Sequence, residues 1–116
     1  MNKKIEINKE IRRNILMFLM KHGFSAIHTD KNLVLERNGE IHFFETYGVS
    51  QETFENIFKS GEYISPKRYS QISKRAQLFM REIGAPNKIW HLHVINVIYS
   101  KNNKVKNIKF LWDFNF

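Results

Sequence analysis

The chain has 116 residues, enough for one packed core and too few for two domains, so residues 1–116 are read as a single domain. It contains no cysteine, which excludes disulfides, zinc–thiolate sites and thiol catalysis and fits a reducing compartment. A hydrophobic content of 42% argues against disorder, and a formal net charge of +8 favours an anionic partner, most often nucleic acid.

The first residues, MNKKIEINKEIRRN, carry no long apolar region followed by a cleavage site. The longest nearly apolar run, Ile15 to Met20, is far too short to cross a bilayer. A cytoplasmic protein without membrane contact is the expectation. Asn8 suits a helix N-cap and Gly23 a helix stop, so Lys9 to Lys21 is read as the first helix. Ile11, Ile15, Phe18, Leu19 and His22 share one face, with His22 as a core or C-terminal capping residue. Leu16, Met17 and Met20 widen that surface, which predicts burial on two sides or a homodimer contact.

Phe24 to Lys31 leads into the stretch Asn32 to Tyr47, NLVLERNGEIHFFETY. Asn38-Gly39 is a two-residue turn signal, because both central positions of a tight hairpin must accept positive φ. Counting outward pairs Arg37 with Glu40, Glu36 with Ile41, Leu35 with His42, Val34 with Phe43, Leu33 with Phe44 and Asn32 with Glu45. Alternation then places Asn32, Val34, Ile41, Phe43 and Glu45 on one face. A carboxylate at the end of an apolar hairpin is costly to bury unless it is paired, hydrogen-bonded or metal-bound.

Gly48 is expected to close the second strand, and Ser50 to cap a short helix, Gln51 to Lys59, that ends at Gly61. Ser65, Pro66 and Gly84 frame a longer helix from Pro66 to Ile83 with Tyr69, Ile72, Ala76, Phe79, Met80 and Ile83 inward. Lys67, Lys74 and Arg81 fall on the opposite, solvated face, while Arg68 and Arg75 stand at the edge of the apolar stripe, placed to reach a phosphate. Ile89 to Tyr99 is apolar on both faces, as a central strand is, and Val105 to Phe114 follows a basic turn as the last strand. The interval from Gly48 to Ile89 suits a helical crossover.

Tyr47, Tyr63, Tyr69 and Trp90 are able to stack on bases, although core packing is the commoner use of such residues. His91 and His93 lie two apart on one strand and point the same way, which offers two metal ligands. Neither a glycine-rich phosphate loop nor a Gly-x-Ser-x-Gly turn occurs.

Taken together, FLMKHGF, NLVLERNGEIHFFETY, ISPKRYSQISKRAQLFM, WHLHVINVIYS and VKNIKFLWDFNF resemble the successive motifs of the YraN family, small bacterial predicted endonucleases of the PD-(D/E)XK type related to Holliday-junction resolvases. The resemblance implies an α/β, single-domain, restriction-endonuclease-like fold with a central mixed sheet of about four to five strands flanked by helices. It also implies a site in which an aspartate and a glutamate hold Mg²⁺ or Mn²⁺ and a lysine orients the attacking water. By position the aspartate becomes Asn32, the glutamate is Glu45 and the lysine becomes Tyr47. The family's later-strand aspartate becomes His93 and its early helix glutamate Arg12. Glu45 alone of that set retains a metal-binding charge, with Glu6, Glu10 or Glu36 as substitute carboxylates.

The resemblance and the charge together point to a nucleic-acid-binding protein, for DNA rather than RNA, with a degenerate metal site and with Lys67, Arg68, Lys74 and Arg75 on the phosphates. Two alternatives are an active but divergent metal-dependent endonuclease and a protein-interaction or dimerisation module built on the first helix.

Overall fold

The computed structural model describes residues 5–29 and 33–114. Its elements are α1 (Lys9–Lys21), β1 (Ser25–His28), β2 (Leu33–Arg37), β3 (Glu40–Ser50), α2 (Gln51–Ser60), α3 (Pro66–Glu82), β4 (Trp90–Tyr99) and β5 (Val105–Leu111). The fold is α/β in one domain, with a mixed five-stranded sheet and helices on both faces, as expected. No described helix is long and apolar enough to cross a membrane.

The strands lie in sequence order across the sheet. β1, β2 and β3 form an antiparallel meander, β4 runs parallel to β3, and β5 pairs antiparallel with β4. Asn38 and Gly39 both take positive φ (55° and 78°), which makes the tight turn between β2 and β3. The register from Arg37↔Glu40 out to Leu33↔Phe44 is the one the turn implies. Its next pair, Asn32 with Glu45, lies outside the described residues. A parallel partner cannot be reached by a tight turn, and α2 and α3 supply the crossover to β4.

Local signals set the helix ends. The side chains of Asn8, Ser50 and Ser65 each accept a backbone N–H from the first turn of α1, α2 and α3. Gly61 ends α2 in the left-handed region. Each helix buries one stripe: Ile15 and Leu19 of α1 pack on Leu35, Phe44, Ile95 and Val97. On the other face, Ile57 of α2 meets Val49 and Ile98. Ile72 of α3 meets Leu92 and Val94, and Met80 meets Val34 and Ile41.

Several features differ from the sequence reading. Ser25–His28 is a strand, short, exposed along its length and interrupted by a register shift between Ala26 and His28. The final strand ends at Leu111 rather than Phe114, because the chain turns at Asp113, whose φ is 54°. Of the two expectations for α1, burial on both sides is not met, since Met17, Phe18 and Met20 are exposed. Gly48 does not close β3, which continues through it to Ser50.

Gly48 serves a close approach instead. Its carbonyl accepts a hydrogen bond from the Ile5 amide at 2.6 Å, and a Cβ at position 48 would lie 2.3 Å from the Ile5 carbonyl oxygen. The Tyr99 ring is 3.1 Å from the same point. Gly48→Ala therefore forces the N-terminal segment off the sheet and is expected to cost about 1–3 kcal/mol, measured as a lowered urea midpoint against wild type.

Candidate functional site

The parallel pairing of β3 with β4 sorts the polar residues of both strands onto opposite faces of the sheet. Ile41, Phe43, Glu45 and Tyr47 face α2 and α3, whereas Glu40, His42 and Phe44 face the α1 side with His91 and His93. Two polar clusters result, one on each face.

On the α3 side, Glu45 is 8% exposed and meets Arg68 at 2.9 Å between Oε1 and Nη2. The helix start positions the guanidinium: Ser65 Oγ accepts the Arg68 amide at 3.1 Å and so fixes the first turn of α3 beside the strand. The Tyr47 side chain hydrogen-bonds to both Arg68 and Glu45. Burial first, and then the Glu45 charge, push the Tyr47 phenol above its ordinary pKa, so it stays neutral. Burial acts against the charged form of Arg68, but Glu45 and Tyr47 outweigh it and raise the pKa. The Glu45 carboxylate thus has a cation supplied by the chain itself, and among the described residues it belongs to no group of three metal-ligating side chains. Beside it a cavity of about 300 Å³ opens between the sheet and α3, with Phe43, Ile72 and Phe79 as walls and His28, Arg75 and Glu82 among its polar lining.

Of the residues singled out from sequence, Glu45, Tyr47 and Arg68 come together. Lys67, Lys74 and Arg75 lie exposed along α3, with Arg75 at the cavity. Asn32 lies outside the described residues. Glu36 is paired with Lys88 at 3.0 Å, and Arg12 donates from Nε to the Ile7 carbonyl at 3.3 Å, so neither supplies Glu45 with a companion. His91 and His93 stand on the far face of the sheet and cannot share an ion with Glu45.

On that far face the two histidines join residues that sequence reading passed over. His42 on β3 lies opposite His91 on β4, and their rings stack at 4.8 Å between centroids. His42 Nδ1 and His93 Nε2 are 2.8 Å apart, and the Asp113 amide donates to His93 Nδ1 at 2.9 Å. His91 sits between two carboxylates, with Nε2 at 2.5 Å from Glu40 and Nδ1 at 2.9 Å from Asp113. Burial, followed by the neighbouring His42, lowers the His93 pKa to about 4. His42 is lowered as well, by burial first and then by His91. Glu40-x-His42 and His91-x-His93 each place two ligating side chains on one strand face, and that repeated spacing was the available signal.

Comparison of the chain with family models, with curated proteins and with solved structures finds no match.

Two predictions rest on these clusters. Arg68→Met leaves Glu45 buried without a cation and should cost about 2–3 kcal/mol, below the range for a fully buried pair because Arg68 is partly exposed. Adding Glu45→Gln should recover most of that loss in urea denaturation. The histidines give a pH dependence. Folding favours their neutral forms, so their contribution is complete above pH 6.5 and is lost as pH falls towards about 4. His91, Arg37, Glu40 and Asp113 are the charged or titratable groups facing the pair. The loss should reach roughly 3 kcal/mol, and His93→Leu should flatten the slope of stability against pH between 6.5 and 4.5.

Proposed function

We propose that this chain binds nucleic acid, DNA in preference to RNA, on a YraN-like scaffold of the PD-(D/E)XK type whose metal-dependent cleavage is lost. The Glu45–Arg68 pair carries the reading. A buried carboxylate requires a compensating cation, and in the nuclease family that the sequence resembles, a divalent ion fills that need. Here a guanidinium from α3 fills it, and Tyr47 stands where a lysine ammonium is expected. Mg²⁺ binding at Glu45 would have to displace Arg68 and would then find one carboxylate where the ion needs several hard oxygen ligands.

Charge supports the binding half of the proposal. The chain keeps 19 basic against 11 acidic residues. Lys67, Lys74 and Arg75 are exposed on α3 while Arg68 is committed to Glu45. Phosphate contacts therefore fall to those three, with Arg75 nearest the Glu45 cavity. A cysteine-free chain suits the cytoplasm, where such a partner is abundant.

Fluorescence anisotropy with duplex, single-stranded and branched DNA, and with duplex RNA, at several salt concentrations tests the proposal. Affinity should fall linearly with salt on a log–log scale, and the Lys67/Lys74/Arg75→Ala variant should lower the duplex slope by about 2–3. No strand scission is expected with Mg²⁺ or Mn²⁺. Cleavage that disappears in Glu45→Ala would establish an active nuclease and remove the second half of the proposal. Absence of binding even at low salt would remove the first.

A further inference from the structure

The face of the sheet opposite Glu45 holds a group with a different chemistry. Glu40, His42 and His91 each direct one ligand atom into a common space, all within 4.8 Å of one another. We propose that these three side chains form a binding site for a divalent transition-metal ion of the Zn²⁺ class, with Asp113 orienting His91 from behind. The site stands apart from the nucleic-acid reading, since it uses no residue of the Glu45 cluster and lies across the sheet from it.

Backbone geometry builds the constellation. Glu40 and His42 are two apart on β3, and His91 is the cross-strand partner of His42 on β4, so three consecutive positions of one sheet face carry donors. Two imidazoles and one carboxylate match the three-ligand sets of zinc centres that keep a fourth position for water. Imidazole nitrogen selects Zn²⁺, Cu²⁺, Ni²⁺ or Co²⁺ over Mg²⁺ and Ca²⁺, which prefer an all-oxygen shell. Ligand atoms around a tetrahedral zinc lie roughly 3.3 Å apart, so closure asks for a shift of roughly 1 Å at the side-chain ends. Access is open, because His91 and Glu40 are 27% and 39% exposed at the side chain.

The surroundings are those of a metal histidine. Asp113 Oδ1 lies 2.9 Å from His91 Nδ1, the carboxylate–histidine arrangement that fixes the tautomer and leaves Nε2 for the ion. That Nε2 lies 2.5 Å from Glu40 Oε1, so two of the three ligand atoms already converge on one point. The two carboxylates also balance the charge of a dication. His93 is not a ligand, since one of its nitrogens accepts the Asp113 amide and the other faces His42.

That arrangement fixes the proton on His42. Neutral His93, accepting at Nδ1, donates from Nε2 to His42 Nδ1, and the His42 proton then sits on Nε2. An ion at His42 Nε2 displaces this proton and turns the chain round. His42 then donates from Nδ1 to His93 Nε2, His93 carries the displaced proton on Nδ1, and that N–H no longer accepts the Asp113 amide, which lets go. Metal binding is thereby coupled to the segment that follows β5.

The test uses chelator-treated full-length chain without a histidine tag, titrated with Zn²⁺ by calorimetry and with Co²⁺ by visible absorption. One-to-one binding is expected, with the intense d–d bands of a four- or five-coordinate Co²⁺ site. His91→Ala and Glu40→Ala, at partly exposed positions that spare the core, should each weaken affinity at least tenfold. Asp113→Ala should weaken it about tenfold, and Asp113→Asn, whose amide oxygen still accepts the His91 N–H, should recover much of the loss. Long-range ¹H–¹⁵N correlation should show the His42 and His93 tautomers exchanging on Zn²⁺ addition. Lack of saturable one-to-one binding, or binding unchanged in the Glu40→Ala/His91→Ala double variant, overturns the proposal, and circular dichroism of each variant confirms that loss is not unfolding.

Discussion

The ten-residue parallel pairing of β3 with β4 is the constraint on which both clusters depend. A parallel ladder between two interior strands buries both faces at once, so each residue of the pair is committed to one helix layer or the other. Glu45 beside Val94 falls under α3, and His42 beside His91 falls on the α1 side. A slip of one residue in β4 would carry His91 and His93 to the α3 side and put Leu92 and Val94, now packed under Ile72, on the other. The apolar core therefore holds the polar clusters in register, although it makes no chemical contribution to either.

The two faces solve the burial of polar groups by opposite means. Under α3 the charge is kept and matched, since Glu45 retains its carboxylate because Arg68 is held beside it by the Ser65 cap. Facing α1, charge is suppressed. His42 and His93 are pushed towards neutrality by burial, and their nitrogens are satisfied by each other and by the Asp113 amide. Among the described residues no buried side-chain nitrogen or oxygen lacks a partner. The buried Glu45–Arg68 pair resists exchange with solvent ions, whereas a neutral imidazole offers a lone pair on one nitrogen and a replaceable proton on the other. That difference assigns the cation chemistry of the chain to the histidine face.

Much of the fold was legible because its signals are local. Asn38-Gly39 dictates the β2–β3 register, Asn8 and Ser65 the helix starts, and Gly61 the end of α2. β1 was not legible, since Ser25–His28 is exposed throughout and shows no alternation, and its strand character comes from pairing with β2 alone. The role of Arg68 was half legible: its place at the edge of the α3 stripe was readable from periodicity, but its partner 23 positions earlier was not. The histidine cluster was least legible, because Glu40 and His42 are 51 positions from His91 and His93 and nothing in the sequence specifies how β3 and β4 align.

Charge ties these observations to function. The ion pairs that bridge distant elements consume Glu36, Glu40, Glu45 and Asp113, four of the chain's 11 acidic residues. The Glu36–Lys88 and Glu45–Arg68 pairs are each neutral at long range, so neither changes the formal surplus of +8. The exposed basic residues include those of α3 and Lys101, Lys104, Lys106 and Lys109 around β5. Lysines on an outer strand also discourage edge-to-edge pairing between copies, which gives part of the surplus a structural use. The lysines and arginine of α3 guard no sheet edge. Their positive charge, with Arg75 at the cavity where Glu45 is already paired with Arg68, is a part of the surplus that an anionic polymer can use, and it acts over roughly a Debye length rather than through one fixed contact.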